Sequence, residues 1–86
     1  MTTEEALQLK PGDRVRIVES RPDSRTGRNT PLFAKGRIYV VAKVDQDTGR
    51  IETTRLNLSV IDALYPSGQR AVWLPPEMVQ RVAGAI

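Results

Sequence analysis

The sequence predicts an all-β domain built from short strands. Two observations carry that expectation: after Pro11-Gly12 the apolar residues recur with period 2, and glycines or prolines punctuate the chain between the alternating runs. Val15 and Ile17 alternate with Arg14, Arg16 and Glu19, the pattern of a strand with one buried face. The strongest strand follows Gly36 and runs from Arg37 to Val44. In it Ile38, Val40, Ala42 and Val44 share one face, and Tyr39, Val41 and Lys43 share the other. With Tyr39 opposite the Ile38/Val40 face, its ring would stand in the open beside Arg37 and Lys43.

Asp45-Gln46-Asp47-Thr48-Gly49 reads as a turn, with Gly49 at its φ > 0 position, and the return strand begins at Ile51 to Thr54. A further strand is expected within Leu56–Tyr65, where Leu56-Asn57-Leu58-Ser59-Val60 alternates. Pro66-Ser67-Gly68-Gln69 predicts a second tight turn before a strand at Arg70–Leu74. Pro75-Pro76-Glu77 breaks that strand, and with Met78-Val79 predicts a 3₁₀ turn ahead of a last strand at Gln80–Val82. At the other end, Thr3-Glu4-Glu5-Ala6-Leu7 suits one helical turn capped by Thr2 or Thr3, with acids in its first turn. The organisation expected is a lead over 1–12, one β domain over 13–82, and a frayed tail over 83–86.

Eighty-six residues suffice for one domain. A chain of this size buries only about 60–65% of the surface its unfolded form exposes, so its margin of stability is thin. There is no Cys and no His, which removes disulfides, zinc knuckles, iron–sulfur ligation, thiol nucleophiles and the commonest general base. Ser20, Ser24, Ser59 and Ser67 have no lysine at a spacing that marks a Ser–Lys pair. No catalytic residue, metal site or cofactor is expected. Asp45 and Asp47 superficially suggest a calcium loop, but Gly49 and Glu52 fall at the fifth and eighth positions instead of the sixth and twelfth. A polar hairpin turn is the better reading. The acidic start Met1-Thr2-Thr3-Glu4-Glu5 is unlike a signal peptide, and no run reaches membrane-spanning length; a cytoplasmic protein is expected.

Charge is unevenly placed. Overall it is +3, yet from Arg14 to Lys43 eight basic residues (14, 16, 21, 25, 28, 35, 37 and 43) face only Glu19 and Asp23, a local net of +6. Ten of the thirteen basic residues are Arg, the side chain that meets carboxylate or phosphate in planar, bidentate fashion. The fifteen residues from Ser20 to Ala34 hold two prolines, one glycine and three arginines, and form a long loop. Loops of that length within a compact domain are usually functional or disordered. The expected binding residues are Arg21, Arg25, Arg28, Phe33, Lys35, Arg37, Tyr39 and Lys43. Phe33 could also pin the loop to the domain, and Trp73 is weighed first as a core anchor.

Three stretches carry a resemblance. Lys10-Pro11-Gly12-Asp13-Arg14-Val15-Arg16-Ile17 is similar to the opening strand of many small barrels, Phe33 to Val41 to their second strand, and Val72 to Val82 to their closing strand, 3₁₀ turn and last strand. The chain thus resembles small SH3-like β-barrel proteins of bacteria and their phages, many without an assigned function. The resemblance implies a five-stranded SH3-like barrel with a long first loop and a 3₁₀ turn before the last strand. Eukaryotic SH3 domains bind proline-rich peptides beside an acidic first loop, whereas here that loop is basic. Plasmid-type dihydrofolate reductases share the Gly12–Arg16 pattern, but their pore motif is replaced here by Ala71-Val72-Trp73-Leu74. The functional expectation is a non-catalytic module whose partner is another protein, docking through the basic loop. The alternative is a nucleic-acid-binding barrel, the minority alternative an oligomeric barrel enzyme, and no membrane is expected; a homo-oligomer remains open.

Overall fold

The computed structural model describes residues 1–65 and 68–82. It is mostly antiparallel sheet. The strands are β1 (Arg14–Ile17), β2 (Ile38–Val44), β3 (Ile51–Thr53), β4 (Leu56–Asn57), β5 (Gln69–Arg70), β6 (Trp73–Leu74) and β7 (Val79–Arg81). Five of them form one sheet in the order β6-β3-β2-β1-β7, and β4 pairs with β5 in a separate ribbon. Single helical turns, α1 (Thr3–Leu7) and α2 (Leu58–Ile61), lie outside the sheet. Two 3₁₀ turns, Pro31–Phe33 and Pro76–Met78, end the first loop and join β6 to β7.

The alternation in β1 places Val15 and Ile17 in the core and Arg14 and Arg16 outside. The inner face of β2 is the opposite of the one its longest apolar row suggests. Tyr39 and Val41 are buried at 3% and 1% exposure, while Ile38 and Val40 stand 47% and 36% exposed. The pairing with β1 sets that face, since Tyr39 stands opposite the buried Val15, and a β-bulge then changes the parity beyond Val41. Val41 pairs with Thr53, but Lys43 pairs with Glu52 and Val44 with Ile51, so Ala42 is an extra residue that shifts the phase of the strand. Tyr39, Val41 and Val44 therefore share the interior, and the row at 38, 40, 42 and 44 is not one face. The β2–β3 connection is a polar turn. The Asp45 carboxylate accepts the Asp47 and Thr48 N–H groups, and Gly49 (φ +76°) donates to the Asp45 carbonyl.

Two further segments differ from expectation. The region after Leu56 is a two-residue strand followed by α2, and the stretch expected as one strand at Arg70–Leu74 is split into β5 and β6. The turn expected at Pro66–Gln69 falls in part, at Pro66 and Ser67, and the tail over 83–86 wholly, outside the described residues. The lead over 1–12 is more than an appendage. Thr2 and Glu5 cap α1 reciprocally, and Ala6 and Leu9 are buried in the core. A Cβ on Gly49 would lie 2.8 Å from Thr3 Cγ2, which shows how closely α1 sits on the hairpin turn.

Candidate functional site

The first loop leaves β1 after Ile17 and returns at Ile38. It is fastened along its length by groups its own sequence supplies. Asp23, buried, accepts the Arg25 N–H on its carboxylate, while its N–H donates to the Arg28 carbonyl. Lys35 N–H donates to the Ser20 hydroxyl at 2.8 Å. The Tyr39 hydroxyl donates to the Leu32 carbonyl at 2.6 Å, inside the core. Burial pushes the Tyr39 hydroxyl above the usual tyrosine range, with the nearby Arg37 working against it. The Thr30 hydroxyl donates to the Asp62 carboxylate just past α2, in a buried bond that ties the loop to the segment carrying Tyr65. That bond, together with the Leu64 N–H, holds the Asp62 carboxyl below the usual carboxylate range, against an opposing effect of burial.

Between this loop and the far edge of the sheet lies a groove of about 480 Å³. Phe33, Tyr65 and Trp73 contribute aromatic surface, and Pro22, Pro75 and Met78 add apolar surface. Arg21, Arg25, Arg50, Asp23 and Glu77 supply the charges. Arg21 is neutralised in place, with its guanidinium 3.1 Å from Glu19 and 3.4 Å from Glu77. The Glu19 hydrogen bond raises the Arg21 pKa. The Glu77 carboxyl is lowered first by its own backbone N–H and then by Arg21. Arg25 and Arg50 are exposed and form no ion pair among the described residues. Trp73 is 43% exposed, so it is not the core anchor expected from its size. Leu74 opposite Ile51 takes the inner position on β6, and alternation sends Trp73 outward beside Glu52 and within 6.0 Å of the Lys43 ammonium.

No family model, no curated protein and no solved structure matches this chain.

The eight residues expected to bind do not converge. Arg21, Arg25 and Phe33 line the groove. Arg28 and Lys35 are exposed on the loop, outside the groove. Arg37 is half-buried with its guanidinium 5.4 Å from the Tyr39 ring centroid, and its Nε is buried without a hydrogen-bond partner among the described residues. Tyr39 is in the core, opposite the buried Val15 of β1, so the exposed aromatic inside a basic patch expected at this point is not formed. Lys43 lies 3.7 Å from Glu52, on the outer face. Arg14 and Arg16 also project outward, opposite Val40 and Ile38.

Three groove residues carry a signal or lack one for different reasons. Trp73 could have been placed from Val72-Trp73-Leu74, where two aliphatic residues claim the buried parity and leave the tryptophan the other. Tyr65 follows a helical turn whose pattern was ambiguous. Arg50 lies beyond the basic run, and only the hairpin brings it back to the first loop. Among the described residues no group of three acidic side chains is assembled as a metal would need, and no helix is long and apolar enough to cross a membrane.

Proposed function

We propose that this chain is an SH3-like barrel that acts as a non-catalytic docking module and holds a segment of another protein in the groove between its first loop and β6. The strand order β6-β3-β2-β1-β7, the long β1–β2 loop and the 3₁₀ turn before β7 support the barrel reading. The observation that carries the functional reading is the groove itself. It is an aromatic and proline-lined concavity whose loop wall is already ordered, the kind of surface that receives an extended peptide.

The distribution of charge favours protein over nucleic acid. A phosphate backbone calls for a continuous basic stripe. Here Arg21 is bound to two carboxylates, Arg37 is turned over Tyr39, Lys43 faces Glu52, and Arg14 and Arg16 lie on the sheet's outer face.

Two variants of the full chain separate these uses. Trp73→Ala removes the largest groove side chain, and the double variant R14E/R16E reverses charge on the outer face. The module reading expects W73A to abolish binding of a purified protein partner and R14E/R16E to leave it unchanged. Oligonucleotide binding at low salt that R14E/R16E abolishes and W73A leaves intact overturns the reading.

A further inference from the structure

We propose that the segment received by the groove is acidic: a stretch of another protein carrying a large apolar or aromatic side chain accompanied by at least two carboxylates. This inference rests on the groove being the docking site. Its charges do not cancel evenly. The Asp23 carboxylate is buried and engaged by the Arg25 backbone N–H, and Glu77 is engaged with Arg21, which Glu19 also holds. Arg25 and Arg50 remain, two exposed guanidinium groups from separate elements, with no carboxylate partner among the described residues.

Guanidinium pairs with carboxylate in planar, two-point fashion, so two free arginines beside Phe33, Tyr65 and Trp73 select for negative charge next to apolar bulk. A nucleic acid satisfies the first demand but brings a charge on every unit, and it would meet Glu77 at the same rim. The carboxylates of a peptide can be spaced to miss it. Proline-rich ligands answer neither arginine.

The test is a selection of random dodecapeptides displayed on phage against the immobilised full chain at low salt. A selected peptide without tryptophan is then synthesised for titration against the intrinsic emission of Trp73, the only tryptophan in the chain. Both arginines are exposed, so R25E and R50E leave the core untouched. The expected result is enrichment of Asp and Glu around an aromatic or leucine residue. Affinity should fall about tenfold or more in each of R25E and R50E, and a peptide with Lys replacing the acids should not bind. Enrichment of basic, neutral or proline-rich peptides that shift Trp73 emission keeps the groove and overturns its preference for acids. Acidic peptides indifferent to R25E and R50E overturn it as well. If no peptide perturbs Trp73, or if oligothymidylate does so instead and loses binding in R25E and R50E, both the acidic preference and the protein-docking reading fall.

Discussion

Neighbouring valines in β2 provide a sharp measurement of which face of that strand is inside. Val41 is 1% exposed and Val40 is 36% exposed, one residue apart in the same strand. Val41→Ala removes two buried methyl groups, worth about 0.8 kcal/mol each in transfer, and leaves a cavity that the surrounding core fills only in part. The expected loss is about 2–3 kcal/mol. Val40→Ala carries the same change in strand propensity, up to about 1 kcal/mol, but leaves no cavity, so about 0.5–1 kcal/mol is expected. For a domain of this size each kcal/mol corresponds to about 4–8 °C in Tm. Urea and thermal unfolding followed by far-UV circular dichroism read both numbers. Because a loss of that size is a large share of a small domain's stability, Val41→Ala is best measured in sulfate, which strengthens burial. An equal cost at the two sites, or a larger one at Val40, would refute the inward placement of Val41 and with it that of Tyr39.

Tyr39→Phe keeps the ring and leaves the Leu32 carbonyl without its donor. It should cost about 1–2 kcal/mol in urea unfolding, and a change within about 0.5 kcal/mol would mean the bond does not fasten the loop. Gly49→Ala meets Thr3 Cγ2 at 2.8 Å and Pro76 Cγ at 3.3 Å at φ +76°, whereas Gly27→Ala, at φ +69°, meets nothing within 4 Å. Both incur the left-handed strain of about 1–2 kcal/mol, so the larger loss at Gly49 isolates the packing of α1 on the hairpin; equal losses in urea unfolding would contradict that packing. The folded Asp62 carboxyl titrates below its ordinary value near about 3.9, so its stabilising contribution is complete above that range and is lost as pH falls through the depressed folded value. Thr30→Val removes the first cause of the depression and should flatten the acid limb of the urea midpoint against pH; an unchanged limb would assign it to other carboxylates.

Much of the sheet was legible because alternation and glycine punctuation are strong signals. They placed β1, β2, the Asp45–Gly49 turn, the 3₁₀ turn after Pro75 and the last strand to within a residue or two. What escaped has physical reasons. A bulge adds one residue without any mark in composition, and Ala42 is unremarkable in a strand, so the row Ile38, Val40, Ala42 and Val44 looked continuous when the ladder had shifted. Leu58-Ser59-Val60-Ile61 forms a single helical turn, too short for a 3.6-residue period to separate it from a strand. The site was half legible. The basic loop drew attention to Arg21, Arg25 and Phe33, but the wall opposite is assembled by topology. Arg50, Tyr65 and Trp73 are distant from the loop in the chain; the pairing of β3 with β2 and β6 places Arg50 and Trp73 beside it, and the Thr30–Asp62 bond holds the segment carrying Tyr65 there.

The many ties that hold the first loop have a kinetic and entropic consequence. The bonds at Asp23, Ser20, Thr30 and Tyr39 form when the domain folds, so the conformational freedom of the loop is surrendered then and not at the moment of encounter. A peptide docking there as proposed would meet a nearly rigid body. Its association rate should then be governed by collision and by the pull of Arg25 and Arg50 through the solvent, without a slow closing step.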